Sequence, residues 1–261
     1  MKQTLLSLTA LITASGAASA VVTFHTDFDE ASLAAITGLN IDTPSTTGDS
    51  SGTVTLNTTS DQLDLTANSA DMWTTRDGAP VAWVASPTVA VGESWYVETE
   101  VTMANDTGTN RATYDQAGLL FYSAATATNT GGQYAHILSD WNGWAAQSAV
   151  LGTGAASVSQ NLGLETTNLY LRTEITANAT DNTYLFLYKE NAGDAWSTLT
   201  TRTSAIDNSQ VGLVLKSNNS NATGAAQFNS FTVGTIDTIP EPSTSLLAGL
   251  AGLSLAFRRR K

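Results

Sequence analysis

The sequence predicts an all-β chain folded as an antiparallel β-sandwich, with a short apolar helix expected at each end. Apolar and polar residues alternate with period two in about a dozen short segments. Clusters of Gly, Asn, Asp and Ser punctuate those segments, as turns do in sandwiches and barrels. Between the two ends no segment sustains a helical period, and no repeat of about 40 residues marks a propeller.

In chain order, Lys2 supplies a positive start, residues 5–14 an apolar stretch, and Ala18-Ser19-Ala20 the small residues that signal peptidase requires. Residues 1–20 are therefore expected to be a secretory signal peptide cut after Ala20. The β domain is expected over 21–236. Residues 31–36 suit one or two helical turns. Strands are expected at 53–57, 62–67, 81–85, 94–103, 116–123, 133–139, 145–151, 168–177, 183–190, 196–201, 210–217 and 226–233. In 94–103, Trp95, Val97, Thr99, Val101 and Met103 fall on one face and Tyr96, Glu98, Glu100 and Thr102 on the other. Trp141-Asn142-Gly143-Trp144 predicts a two-residue hairpin turn, since Asn-Gly accepts the positive φ angles that such a turn needs.

The tail, 237–261, contains Pro240-Glu241-Pro242, an apolar run over 245–257, then Arg258, Arg259, Arg260 and Lys261. A basic cluster after an apolar run is a membrane stop with its positive end inside. The run has 13 residues, short of the roughly 20 that cross a bilayer as a helix. That length suits a handle for processing. Proline-rich motif, apolar helix and arginine end, in this order, resemble the PEP-CTERM sorting signal. The resemblance implies recognition by an exosortase, with transient anchoring in the inner membrane and later release to the cell surface or exterior.

The body between the signals, 21–239, keeps six of the 11 Lys and Arg and 22 of the 23 acids, so its formal charge is −16. Such a surface repels nucleic acid, whose binding relies on cationic side chains that neutralise phosphate. With no cysteine, an exported domain must draw its stability from its core or from bound ions rather than from disulfides.

The body opens with Phe24-His25-Thr26-Asp27-Phe28. Later come Gln116-Ala117-Gly118-Leu119-Leu120-Phe121, Leu169-Tyr170-Leu171-Arg172-Thr173-Glu174, Tyr184-Leu185-Phe186-Leu187-Tyr188, Gly193-Asp194-Ala195-Trp196 and Val211-Gly212-Leu213. Ala226-Gln227-Phe228-Asn229-Ser230-Phe231-Thr232-Val233 closes it. This order resembles the concanavalin A-like lectin/glucanase sandwiches, above all the non-catalytic modules attached to bacterial glycosidases. The resemblance implies a jelly-roll topology and affinity for carbohydrate. Where that family tends to show Asp-Gly before Trp and Asp-Asp between the last Phe residues, this chain has Gly193-Asp194-Ala195-Trp196 and Phe228-Asn229-Ser230-Phe231.

Paired carboxylates are the first place to look for chemistry. Glu98 and Glu100 share a strand face, with Cα atoms about 6.5–7 Å apart. A retaining glycosidase places its two carboxyl groups about 5–5.5 Å apart. The related glucanases carry Glu-x-Asp-x-Glu or Glu-x-Asp-x-x-Glu. Here Glu98-Thr99-Glu100-Val101-Thr102-Met103 lacks the central Asp and the last Glu, and with them an acid for the leaving group. His25 and His136 have no nucleophile motif beside them, and two His without Cys do not suit a zinc site. A structural calcium is more compatible with so acidic a chain, since it takes oxygen ligands. The resemblance points to Asp27 and Asp29 beside the first strand, with Asn229 where an acid is expected in the last. Trp141 and Trp144 across their hairpin offer either an indole platform for a sugar ring or a cap on the core. Tyr134 and Trp73, the latter near Asp71 and Arg76, are expected to extend it. The expected function is a non-catalytic, polysaccharide-binding surface or matrix protein. A glycoside hydrolase or lyase, and an adhesive envelope protein without a specific ligand, stand as alternatives.

Overall fold

In a computed structural model of the chain, the structure describes residues 19–43, 51–68, 79–103, 116–122, 134–140, 144–150, 158–161, 168–205, 208–217 and 224–237, with backbone alone for 134–140, 144–150 and 158–161. The strands are β1 (Ser19–Thr26), β2 (Asn40–Asp42), β3 (Ser51–Asn57), β4 (Gln62–Asn68), β5 (Val81–Ala85), β6 (Ser94–Met103), β7 (Gln116–Tyr122) and β8 (Tyr134–Asp140). They continue with β9 (Trp144–Val150), β10 (Val158–Asn161), β11 (Asn168–Thr176), β12 (Asn182–Lys189), β13 (Ser197–Ser204), β14 (Gln210–Lys216) and β15 (Gly224–Asp237). Among the described residues the helical content is one 3-10 turn, Leu33–Ala35, where the sequence suits one or two turns. The two helices expected at the chain ends lie outside the described residues.

The strands form two sheets. The larger has eight strands in the order β13-β12-β11-β6-β15-β4-β3, with β1 also paired to β15; the smaller has seven, β10-β9-β8-β7-β14-β5-β2. Every pairing whose register is described is antiparallel. Twelve of the strands are those the alternation predicts, within a few residues at each end. β1, expected only through the family resemblance, completes the larger sheet. β2 and β10 are additions. Asn-Ile-Asp and Val-Ser-Gln-Asn are too short to show a period, and they become strands because β5 and β9 offer them an edge.

The expected division of β6 holds. Trp95, Val97, Thr99, Val101 and Met103 are buried, while Glu98, Glu100 and Thr102 are half-exposed on the other face. Between the sheets, Phe121 of β7 meets Trp95 edge-on at 6.3 Å and Tyr184 at 5.9 Å, and Tyr184 stacks on Phe186 at 6.0 Å. These centroid distances and edge-on geometries suit the aromatic quadrupole. β7 and β14 are buried along their whole length, so the middle of the smaller sheet is covered on both faces.

Just after β1 the chain turns at Phe28, whose φ of 59° lies in the left-handed region. That conformation costs a non-glycine residue about 1–2 kcal/mol. Thr26 holds the turn, its Oγ1 accepting the Phe28 N–H at 2.9 Å and donating to the Glu30 carboxylate at 3.0 Å. Burying the Phe28 ring completely recovers about 1.5–3 kcal/mol.

Gly234 of β15 is required by proximity. A Cβ there would stand 2.6 Å from Tyr96 Cε1 and 2.7 Å from the Val21 carbonyl oxygen. Gly234→Ala should therefore destabilise the fold by about 3 kcal/mol, read as a lower midpoint in urea with an unchanged slope. An unchanged midpoint would show that β1 does not press on β15.

Candidate functional site

The outer face of the larger sheet carries the carboxylates that the sequence singles out. Antiparallel register sets Tyr96, Glu98 and Glu100 of β6 opposite Glu174, Arg172 and Tyr170 of β11. Arg172 is the centre. Its Nη1 reaches Glu98 Oε2 at 3.2 Å and its Nη2 reaches Glu174 Oε1 at 2.8 Å. The guanidinium lies 4.2 Å from the centroid of the Tyr96 ring and 5.9 Å from that of Trp196. Beside Trp196, Lys189 Nζ lies 4.7 Å from the indole and 5.1 Å from the Tyr170 ring, and donates to the Ala192 carbonyl at 2.6 Å. Glu100 accepts from Asn168 Nδ2 at 2.8 Å. Cations over aromatic faces gain electrostatically from the ring quadrupole, more so where they are partly desolvated.

A glycosidase needs one carboxyl group that donates a proton and one that receives charge or activates water. Glu98 is an ion-pair partner of Arg172, and Glu100 is a hydrogen-bond acceptor for Asn168. Both take part in a charged lattice joining β6 to β11. Arg172, Glu174, Tyr96, Tyr170, Trp196 and Lys189 are the residues that sequence reading does not assemble here. The period-two alternation of Tyr170, Arg172 and Glu174 is the available signal, but the facing strand is 74 residues away at Glu98.

Burial, and then the neighbouring Glu98 carboxylate, push the Tyr96 phenol above its ordinary value, with Arg172 opposing. Burial, and then the hydrogen bond and charge of Glu100, push Tyr170 up as well. A phenol that holds its proton more tightly in the folded state adds stability below its unfolded pKa of about 10, and that stability is lost as pH rises through the folded value. Stability should thus fall with pH above about 10, and Tyr96→Phe with Tyr170→Phe should flatten the fall in alkaline denaturation curves. An equal slope in the double variant would contradict this.

Of the residues considered for calcium, Asp27 and Asn229 make side-chain hydrogen bonds within the chain. His25 shares hydrogen bonds with Thr232 Oγ1 at 2.8 Å and with Asp27 Oδ2 at 3.2 Å. Asn229 sits at the irregularity between Phe228 and Ser230 in β15, and its Oδ1 accepts from Gln62 Nε2 at 2.6 Å. Asp29 is exposed. Among the described residues no three His, Asp or Glu side chains gather as a metal cluster.

The outer face of the smaller sheet is different in kind. Register and alternation place Trp83 (β5), Gln210 (β14), Tyr122 (β7) and Tyr134 (β8) in one band: Gly212 pairs with Trp83, Gln210 with Tyr122, and Tyr122 with Tyr134. A Cβ on Gly212 would stand 3.0 Å from Trp83 Cβ and 2.7 Å from the Ala82 carbonyl oxygen, so the glycine keeps the sheet clear beside the indole. Trp83 Nε1 and Gln210 Oε1 are buried without a hydrogen-bond partner among the described residues. At the opposite end of these strands Lys216 Nζ donates to Gln116 Oε1 at 3.4 Å, both residues buried, with Asp140 at the adjoining register position.

Of the four aromatic candidates, Trp73 and Trp141 lie outside the described residues. The turn expected at Asn142-Gly143 lies outside the described residues; β8 and β9 on either side of it pair from Ala135–Val150 to Leu138–Gln147. Trp144 begins β9, paired with Asn161 beside a register shift in β10. Tyr134 begins β8, at the other end of the hairpin, about 20 Å along the strand. The structure therefore separates Tyr134 from Trp144 rather than joining them in one platform, and the register neighbours it supplies for Tyr134 are Tyr122, Gln210 and Trp83. An extended strand cannot bring its own two ends together, which is the physical reason for the correction.

The architecture is that of the concanavalin A-like sandwich. An endo-1,3-β-glucanase from Streptomyces sioyaensis superposes with a TM-score of 0.59 at 15% identity over 84% of this chain and 97% of its own. A mutant of the GH43 protein BlXynB from Bacillus licheniformis gives 0.58 at 14% identity over 81% of this chain, which spans 39% of that protein. The exoplasmic/lumenal domain of VIP36, in its Ca2+/Man2-bound form, gives 0.50 at 8% identity over 85% of this chain and 90% of its own. No curated protein sequence matches the chain. Residues 238–261, which hold Pro240, Glu241, Pro242 and Arg258, Arg259 and Arg260 and lie outside the described residues, match the PEP-CTERM protein-sorting motif. That motif is a signal of export with transient membrane anchoring, and the signal that an exosortase recognises. Among the described residues no helix is long and apolar enough to cross a membrane.

Proposed function

We propose that this chain is a non-catalytic, polysaccharide-binding protein of the cell surface or extracellular matrix, with its ligand held at the partly exposed Trp83 and the neighbouring Gln210 of the band on the smaller sheet. The observation that carries the reading is the pair of unsatisfied polar atoms in that band, Trp83 Nε1 and Gln210 Oε1. Leaving a buried donor or acceptor unpaired costs about 1–3 kcal/mol, a cost that a bound partner removes. A pyranose offers what both atoms lack: hydroxyls that accept from an indole N–H and donate to an amide oxygen, and an apolar C–H face for an aromatic ring. The body charge of −16 disfavours polyanions, so the ligand class is a neutral or weakly charged polysaccharide. The Ca2+/Man2-bound form of VIP36 supports the reading that a sandwich of this shape accommodates sugar. Against catalysis, Glu98 and Glu100 stand on the other sheet and are engaged by Arg172 and Asn168.

Affinity electrophoresis or pull-down over a polysaccharide panel tests this. Trp83→Ala should weaken binding about tenfold, equivalent to about 1.4 kcal/mol, while Glu98→Gln leaves it unchanged. No reducing ends should appear on prolonged incubation. Reducing ends that vanish in Glu98→Gln or Glu100→Gln would establish the glycosidase instead, and the absence of saturable binding to any glycan would favour an adhesive role.

A further inference from the structure

The exposed large apolar side chains of the described residues are Val21, Val22 and Val91, at 49%, 52% and 70% exposure. They share one end of the larger sheet. Ser94 of β6 pairs with Ile236 of β15 and with Thr176 of β11, and Val91 lies three residues before Ser94. The Val21 carbonyl lies against Gly234 of the same β15. Val91 and Gly92 form the tip of a turn in which Gly92 has φ of 90°. The turn is fastened on every side. Glu93 N donates to Ala90 O at 3.0 Å, Gly92 N to Ala177 O at 2.7 Å and Ala177 N to Glu93 O at 3.0 Å. The Glu93 carboxylate is drawn inward to the Ala90 N–H at 2.8 Å. A valine is thus presented at the tip of a hydrogen-bonded turn, 70% exposed, beside a Glu93 carboxylate that accepts from the Ala90 N–H.

The chain leaves this same end. β15 finishes at Asp237, and seven residues, 238–244, precede the apolar run at 245–257. Fully extended, seven residues span at most about 25 Å, and the headgroup zone on each side of the hydrocarbon is about 5–8 Å deep. An uncut tail therefore keeps this end of the sandwich within a short reach of lipid.

From this we infer that Val21, Val22 and Val91 form a lipid-docking edge, which rests the body on the bilayer surface while the tail is anchored. The partner is the zwitterionic headgroup layer of the membrane. Partial insertion of small apolar tips into that layer needs no cationic side chain, consistent with the acidic body. Docking fixes the orientation of the body before processing and is released when the anchor is cut, since three valines alone retain little membrane affinity.

The absence of cysteine makes the test direct. The chain from Val21 onward, tail included, is reconstituted in phosphatidylcholine vesicles containing spin-labelled lipid, with a fluorophore on Ala90→Cys or on Ala192→Cys. Ala90 adjoins Val91; Ala192 follows β12 at the far end of the sheet, about 30 Å away along the strands, and both residues are exposed. The probe at 90 should be quenched at least twofold more than the probe at 192 and emit further to the blue. Adding Val91→Asp to the Ala90→Cys chain, with an unchanged melting temperature, should abolish the difference. Equal quenching at the two positions, no quenching at either, or no effect of Val91→Asp would overturn the inference. So would protection of the probe at 90 that rises with protein concentration in vesicles lacking spin label, because it would assign the edge to a second copy.

Discussion

The larger sheet hangs on β15. Its first residues pair with β4 and its length from Ala226 to Ile236 pairs with β6. Along its second half β1 takes over from β4, through Thr23 Oγ1 to the Val233 carbonyl at 3.1 Å and His25 to Thr232. A strand from the end of the domain thus lies between strands from its beginning and its middle. The hydrogen bonds that unite β11, β12 and β13 with β3 and β4 pass through it. Contacts separated by up to 210 residues must close before the sheet exists, and such loop closure is entropically costly and slow. Burial of Phe228, Phe231 and Val233 in the core makes the closure favourable. Proximity of β1 and β15 in one sheet also gathers Val21, Val22 and Val91 at the place where the tail departs.

The two outer faces differ in the polar groups they carry. On the larger sheet, Glu98 and Glu174 pair with Arg172, whose guanidinium lies over the Tyr96 ring. Glu98 and Glu100 there bridge β6 to β11 through Arg172 and Asn168, while Arg172 Nε is buried without a hydrogen-bond partner among the described residues. The smaller sheet presents amide and indole groups in the Trp83 band with hydrogen-bonding capacity to spare. Satisfied polar networks rigidify a structure, whereas unsatisfied buried groups seek a partner.

Much of this is legible in the sequence. The period-two alternation locates twelve strands and the correct buried face of β6, because a half-buried strand must alternate. The band of Trp83, Gln210, Tyr122 and Tyr134 is not legible, since its members come from four strands that lie 12 to 127 positions apart from one neighbour to the next and meet only through register. Tyr134 stands out as a candidate, but its closeness to Trp141 and Trp144 along the chain is not closeness in space. A strand carries its two ends apart. Glu98 and Glu100 are readily placed on one face, yet their commitment to Arg172 and Asn168 depends on which strand lies beside β6.

By itself the sequence determined that this chain is exported, carries a sorting tail, lacks disulfides and folds as β-structure, because local hydrophobicity, charge and turn chemistry act over a few residues. Only the tertiary structure decided which strands are neighbours. That choice set Glu98 against Arg172 and Glu100 against Asn168, put Trp83 and Gln210 on one face of the smaller sheet, and brought three valines to one end of the larger one. Register and strand order are set by the packing of one sheet on the other, and that is a property of the whole chain.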